Sequence, residues 1–317
     1  MTSKPVSVAA IGECMLELSK RGDSWKMGHA GDTFNVSWVL RALLPDDAVT
    51  DFLSAFGTDP FSVQQVDFMA SNGIGIGQSP RLAGAHPGIY AITLDGAERS
   101  FTYWRQDSAA RRLASNPQSL AQSLAGRDLI YFSGITLAIL DRIARQALLK
   151  EIRQARLAGA KVAFDPNYRP HLWPDTGEAA KAIGDALAHV DIALPTFSDE
   201  QALFGDEDPE ATARRIASAG VAEIVVKNGA EDALLWTPQK MQRLPAVRVD
   251  VPVDTTGAGD AFNGGYLAAR MSGRSPFASG EQAHRIAAIT VQEYGALAPM
   301  DRLRAGAASE TPLVYGN

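Results

Sequence analysis

Cysteine is nearly absent: Cys14 is the single one in 317 residues. An internal disulfide is therefore excluded, and a reducing, cytoplasmic setting is expected. Cys14 lies in an apolar, strand-like run, which predicts an inert core thiol rather than a reactive one. No apolar run reaches about 18 residues, so no membrane-spanning helix is expected. Met1 to Pro5 lacks a charged stretch leading into an apolar one, so no secretion signal is read there. No block of five like charges occurs, and the net charge is −6. That argues against nucleic acid or an anionic membrane as a partner. The five histidines, His29, His86, His171, His189 and His284, show no metal-ligand spacing, and no cysteine cluster accompanies them. Linkers, low-complexity tracts and internal repeats are missing as well. What is present is a chain 46% apolar and 21% charged, which suits a soluble globular protein with a sizeable core.

Strand-like and helix-like segments alternate along that chain. Val6 to Ile11, Asp51 to Ala55, Leu129 to Phe132, Lys161 to Phe164, Ile192 to Leu194 and Glu223 to Val226 read as strands. Gly31 to Leu44, Phe61 to Ala70, about Ile139 to Leu157, Pro209 to Ala219 and Ala258 to Met271 read as helices. Such alternation implies a mostly parallel sheet with helices on both faces. Two pieces break the pattern. Met15 to Lys26 and Gly88 to Arg105 read as antiparallel strands, the second with a turn at Asp95-Gly96. They would build a small sheet over one end of the main one. Asn72 to Gly77 is glycine-rich, but its spacing is G-x-G-x-G and Gln78-Ser79-Pro80 follows. A dinucleotide turn needs G-x-G-x-x-G before a helix, so this segment reads as a helix-ending loop.

The most informative string is Asp254-Thr255-Thr256-Gly257-Ala258-Gly259-Asp260-Ala261-Phe262. A β-branched run ends at Val253, and the helical pattern begins at Ala258. The turn thus sits at a helix N-terminus, where free N–H groups and the dipole favour an anion. Gly257, Ala258 and Gly259 let a phosphate approach the backbone. Asp260 falls in the first turn beside that anion hole. A carboxylate there suits phosphoryl transfer, taking the proton from an attacking hydroxyl. A glycine-rich turn by itself can also simply cap a helix.

The full string resembles the signature of the ribokinase-like (PfkB) sugar kinases, whose D-T-x-G-A-G-D core is intact here. By that resemblance Asp260 is the catalytic base, and the backbone from Gly257 to Gly259 is the anion hole. Four further segments follow in family order. Gly31-Asp32-Thr33-Phe34-Asn35 is similar to the first signature, with Ala30 where a glycine is usual. Its amides and side chains are expected on sugar hydroxyls; helix capping by Asp32 is the plainer reading. Tyr103-Trp104-Arg105, continuing to Ala110, resembles the 2-keto-3-deoxygluconate kinases of the family. There this Tyr and Arg hold the sugar acid, and Tyr90 is a substrate position by the same resemblance. A strand places Tyr103 and Arg105 on one face, and a guanidinium fork suits a carboxylate; a solvated edge arginine is the alternative.

Asp165-Pro166-Asn167-Tyr168-Arg169 follows a buried strand, and polar residues past the carboxyl end of a parallel strand point into the usual crevice. The resemblance gives Arg169 to substrate, near the phosphates, and Asn167 to nucleotide or metal; a turn with a capping Asp and a surface Arg is the other reading. Lys227-Asn228-Gly229-Ala230-Glu231-Asp232 resembles the K-x-G-x-x-G nucleotide loop, with Asp232 in place of its second glycine. A ligand-free hairpin turn is the other reading of that segment. Asp254 and Thr256, with backbone near Gly295, match a monovalent-cation loop of related kinases.

The resemblance, which runs from Gly12 to about Gly295, implies one ribokinase-like α/β domain over residues 1–317. Its parallel sheet would be sandwiched by helices, with lid inserts at about 14–30 and 88–106. It implies an ATP-dependent carbohydrate kinase using Mg²⁺, and K⁺ at the Asp254 loop. The implied reaction phosphorylates 2-keto-3-deoxy-D-gluconate on its primary hydroxyl, with Arg105 and Arg169 reading the acid end. A kinase of a neutral sugar, fructose or ribose, is the alternative, and a catalytically silent binding protein the more distant one. A homo-oligomer formed through the lid is also expected.

Overall fold

In the computed structural model, which describes residues 4–95 and 98–308, strands and helices alternate as the hydrophobic pattern predicts. β1 (Ser7–Ile11) leads into a hairpin of β2 (Met15–Arg21) and β3 (Ser24–Ala30). α1 (Asp32–Leu43) and β4 (Val49–Leu53) follow, then the short β5 (Phe56–Gly57). α2 (Pro60–Ser71) starts where Asp59 caps it and Pro60 fixes its first φ. After β6 (Arg81–Leu82) comes the second hairpin, β7 (Ile89–Asp95) and β8 (Glu98–Trp104). The turn expected at Asp95-Gly96 reaches Gly96, which lies outside the described residues.

The chain continues through α3 (Pro117–Leu124), β9 (Leu129–Ser133), α4 (Gly134–Ile139), α5 (Arg142–Leu157) and β10 (Lys161–Asp165). α6 (Thr176–Leu187), β11 (Ile192–Ala193), α7 (Phe197–Phe204), α8 (Pro209–Ser218) and β12 (Glu223–Val226) come next. A hairpin of β13 (Ala233–Thr237) and β14 (Lys240–Leu244) precedes the final helices, α9 (Ala258–Met271), α10 (Pro276–Thr290) and α11 (Met300–Ala308).

Eight strands form the main sheet in the order β14-β13-β12-β11-β10-β9-β1-β4. Six are parallel; β13 and β14 join antiparallel at one edge. Its central strands are buried on both faces, which is why they read as unbroken apolar runs. Ile130, Phe132, Val162 and Phe164 face one core with Leu148, Ile152 and Ile183. Their strand neighbours Leu129, Tyr131 and Ala163 face the other, with Phe34, Phe262 and Leu267. Two helical layers thus enclose the sheet. The two early hairpins join through a parallel β2–β7 pairing into a smaller sheet, order β3-β2-β7-β8.

Some boundaries differ from the sequence reading. The helix expected from Ile139 to Leu157 is two helices. Leu140 is extended, and Asp141 caps α5 by accepting from the Ala144 amide at 2.8 Å. α4 begins five residues before Ile139, at Gly134, because Ser133 caps it. A Cβ at Gly134 would meet the Pro166 carbonyl oxygen at 1.8 Å, so only glycine fits against the loop after β10. The β13–β14 hairpin was not anticipated. Asn72 to Gly77 does end α2, with Gly73 and Gly77 in the left-handed region. No described helix is long and apolar enough to cross a membrane.

Candidate active site

The N-terminal turns of α1 and α9 meet above the carboxyl ends of β10 and β12. Close packing sets their register: a Cβ at Gly264 of α9 would lie 2.6 Å from the Val39 Cβ of α1. The approach brings Asn35 to Asp260, and Asn35 Nδ2 donates to Asp260 Oδ2 at 2.8 Å. At the head of α9, Gly257 is left-handed with φ 74°, and no side chain caps the helix. A Cβ there would fall 2.7 Å from the Ala296 Cβ, so glycine is required twice over. Around Gly259 the space is open, with only Lys227 Nζ within 4 Å of an added Cβ. The Ala258 amide is partly engaged, donating to the Thr255 carbonyl at 3.3 Å. An uncapped turn of small residues has a geometry that suits an anion.

Asp260 is held with its proton bound more tightly than an ordinary carboxyl, pushed up to about 7. Burial is the main cause, and the nearby Asp32 adds to it; Asn35 and Lys227 pull the other way. Asp32 itself accepts from Asn167 Nδ2 at 2.9 Å. Asn167 has φ 37°, a strained turn that swings its side chain from the β10 loop to α1. Under Asp260 lies a buried cluster. Lys227 Nζ donates to Asp165 Oδ2 at 2.6 Å and to Asn263 Oδ1 at 3.1 Å. Asn263 Nδ2 donates to the same Asp165 oxygen at 2.7 Å and to the Tyr131 hydroxyl at 3.1 Å.

The head of α9 opens onto a cavity of about 920 Å³. Asn167, Arg169, Lys227, the turn from Asn228 to Glu231, Gly257, Ala258, Gly259 and Asp260 all line it. Phe262 and Val291 supply apolar wall, and His284 packs edge-on against Phe262 there. That combination suits a nucleotide: an apolar slot for a base, with phosphates running to a helix N-terminus. Asp232 is not in this wall. Its carboxylate accepts from the Ala246 amide at 3.0 Å and ties β13 to the segment after β14.

The pfkB carbohydrate kinase family model matches residues 7–303. The chain belongs to the pfkB family of carbohydrate kinases. It is 39% identical to the 2-dehydro-3-deoxygluconokinase of Dickeya dadantii over 96% of this chain and 100% of that one. A fructokinase of Vibrio alginolyticus is 32% identical, but over 55% of each chain. The crystal structure of aminoimidazole riboside kinase from Salmonella enterica, complexed with aminoimidazole riboside and an ATP analogue, superposes with a TM-score of 0.80. That match covers 96% of this chain and 100% of the other at 26% identity.

In this pfkB kinase the smaller sheet brings its site candidates to one face. Tyr90 and Tyr103 are register partners with ring centroids 5.7 Å apart. The Tyr90 hydroxyl donates to Glu17. Tyr103 stacks on His171 at 5.9 Å. Both arginines already hold carboxylates. Arg105 is buried and ion-paired to Glu13, just after β1, through Nη2; its Nε is buried without a partner. Arg169 donates to Asp199 at 3.0 Å and to the Tyr168 carbonyl at 2.7 Å. Their charges meet at His171, whose pKa is lowered by burial first and then by Arg105 and Arg169.

Other candidates stand elsewhere. Phe34 is fully buried in the core, edge-on to Phe52, and Thr33 is fully buried with its hydroxyl beside Gly12. Neither side chain reaches the site of this kinase. Gly31 contributes by what it lacks: a Cβ there would strike the Glu13 carbonyl at 2.0 Å. Asp254 accepts from the Thr256 amide at 2.9 Å and the Gly295 amide at 2.8 Å, clasping two loops. Among the described residues no three His, Cys, Asp or Glu side chains cluster as a metal cage. Asn263, Tyr131 and Glu13 stand in no motif of the sequence, and Asp165 stands in the Asp165 to Arg169 string without an assigned role. Asn263 was findable, since it lies one helical turn after Asp260 and shares its face.

Proposed function

We propose that this kinase transfers the γ-phosphoryl group of ATP to the primary hydroxyl of 2-keto-3-deoxy-D-gluconate, the compound also called 2-dehydro-3-deoxygluconate. One observation carries the reading: Asp260, oriented by Asn35, stands beside the uncapped head of α9 at the mouth of a nucleotide-sized cavity. The substrate's identity is supported by the Dickeya relative, matched over its whole length, whereas the fructokinase match covers about half of each chain.

Asp260 Oδ2 already accepts from Asn35, which leaves Oδ1 to take the hydroxyl proton. The hydroxyl oxygen then bonds to the γ-phosphorus as the bond to the ADP oxygen breaks. The Gly257 to Gly259 backbone would hold the charge that develops, so positioning and electrostatics carry the rate. Lys227 and the 228–231 turn would bind the nucleotide phosphates. Mg²⁺, when bound, neutralises phosphate charge; without a three-ligand cage in the described residues, it fits as an ion carried in by ATP. The Asp254–Thr256 loop is the candidate place for K⁺.

Because Arg105 is paired with Glu13, a neutral sugar would not leave its cation unpaired. Five donors on one guanidinium still leave room for a second carboxylate. Kinetics on 2-keto-3-deoxygluconate, fructose and ribose test the choice. A preference for fructose or ribose by kcat/KM would overturn the sugar-acid reading. A cytoplasmic setting is supported by the buried free thiol of Cys14. Self-association through the smaller sheet is supported by its exposed Trp25, Met27, Phe101 and Trp104. Light scattering of wild type against Trp25→Ser and Trp104→Ser checks that reading.

A further inference from the structure

Beneath the anion hole Lys227 is held in a buried cluster with Asp165, Asn263 and Tyr131, three residues that have no assigned task. Buried ion pairs are weak contributors to stability, since desolvation offsets most of the attraction. This one is nearly closed to solvent, with Lys227 at 9% and Asp165 at 4% side-chain exposure. Its geometry is directional. An ammonium has three N–H donors. Two are spent on fixed acceptors, Asp165 Oδ2 at 2.6 Å and Asn263 Oδ1 at 3.1 Å. No other described side chain or carbonyl takes the third. Lys227 lines the cavity, and its Nζ lies 3.8 Å from the place of a Gly259 Cβ. The remaining N–H is thus free at the head of α9.

The acceptors are themselves fixed. Asn263 has its amide locked by Asp165 and Tyr131, so its oxygen faces Lys227 in one orientation. Asp165 Oδ1 accepts from the Asn167 amide at 3.1 Å. The cradle therefore joins β9, β10, the end of β12 and α9, and none of its parts is free to turn alone.

We infer that Asn263 and Asp165 are positioning residues that aim the Lys227 ammonium at the phosphoryl group in transfer. The inference rests on the kinase reading above and adds to it the source of a preorganised positive charge. The oxygen that leaves with ADP gains charge only as its bond to the γ-phosphorus breaks, so a cation fixed beforehand favours the transition state over the ground state. Free lysines reorient; a lysine with two donors tied does not.

The same cradle adjusts the protonation of Asp260, which burial and Asp32 chiefly raise. Facing Asp260 are Asp32 and Asn35 from α1, Lys227 after β12, Asp165 at the end of β10 and Tyr131 in β9. Lys227 lowers the Asp260 pKa, while Asp32 and Asp165 raise it. Two substitutions should therefore move the acid limb of the pH profile in opposite directions. Asn263→Ala frees Lys227 to turn away, and the limb should move to higher pH. Asp165→Asn, with its amide oxygen kept on Lys227 and Asn263, gives up the bond from the Asn167 amide and removes a negative charge, and the limb should move to lower pH.

The experiment measures kcat, sugar KM, melting temperature and the pH profile of both variants. The expected result is a kcat loss of roughly 10–100-fold in each, a sugar KM within about threefold of the parent, and the opposed limb shifts. Losses that track only the folded fraction, with both limbs unmoved, would overturn the inference. So would a kcat within twofold of the parent in both variants. If only Asp165→Asn folds, its downward limb shift with a kcat loss still supports the cradle, and an unmoved limb overturns it. Retained turnover in Asp260→Asn would sink the base assignment separately; the kcat ratios of the cradle variants would still decide this one.

Discussion

Asn35 and Asp260 are 225 positions apart and share one hydrogen bond of 2.8 Å across the first turns of α1 and α9. The bond holds Oδ2 of the carboxylate, in a residue that lines the cavity. Asp260→Asn keeps the shape and removes the proposed base. Turnover should fall by roughly 10²–10⁴-fold, the usual worth of a positioned base, with nucleotide binding retained. A variant within threefold of the parent kcat would show that another group takes the proton.

The raised pKa of Asp260 makes two further expectations. With Asp260 as the proposed base, which acts deprotonated, kcat/KM should climb with pH through an acid limb near 7. Stability should run the other way. The folded chain binds this proton more tightly than the unfolded chain does, so the ionised form carries a cost. That cost is absent below the ordinary carboxyl value of about 4, grows as pH rises, and is complete above about 7. Asp260→Asn removes it. The variant should be more stable than the parent at pH 8 by roughly 2–4 kcal/mol and nearly equal to it at pH 4. Denaturant melts at the two pH values decide this; an equal gain at both would point to packing instead of ionisation.

Gly257 and Gly259 should part company. Valine at Gly257 meets Ala296 and a left-handed φ of 74°. The φ alone costs on the order of 1–3 kcal/mol, so Gly257→Val should lower the melting temperature and the rate together. Gly259 has neither problem, with only the Lys227 ammonium within reach. Gly259→Val should fold and melt like the parent yet raise the ATP KM or lower kcat, because its side chain fills the phosphate approach. Unchanged ATP kinetics in a folded Gly259→Val protein would remove the anion-hole role.

The legible parts of this chain are those where local sequence and tertiary demand coincide. The head of α9 announces itself because the turn, the glycines and the acid are contiguous. The main sheet reads easily because strands buried on both faces are apolar throughout. Other features depend on distant partners. Gly134 opens α4 because the Pro166 carbonyl crowds it, and nothing near Gly134 in sequence says so. Thr33 and Phe34 sit inside a substrate-like motif, yet helical geometry turns both into the core while Asn35 reaches Asp260. The pairing of Glu13 with Arg105 spans 92 positions and joins two sheets. No pattern within either segment encodes it.

That pair shapes the last expectation, which concerns the sugar acid. Arg105 meets Glu13 through Nη2 alone, and its buried Nε has no partner. Leaving a guanidinium N–H buried and unpaired is costly, so a ligand carboxylate is the natural group to complete the fork. Arg105→Ala is a poor probe, because it strips Glu13 of its counter-ion in a buried setting. Arg105→Lys keeps the charge beside Glu13 but cannot present two parallel donors. It should fold, and it should lose about 2 kcal/mol, or roughly 30-fold in kcat/KM, on 2-keto-3-deoxygluconate. Any residual turnover of fructose or ribose should change by less than threefold. Glu13→Gln makes the complementary case: it retains a neutral acceptor for Arg105, frees the guanidinium charge, and should leave sugar-acid activity equal to the parent or higher. If Arg105→Lys depresses acid and neutral sugars in the same proportion, Arg105 is a structural partner of Glu13, and the acid end is read elsewhere.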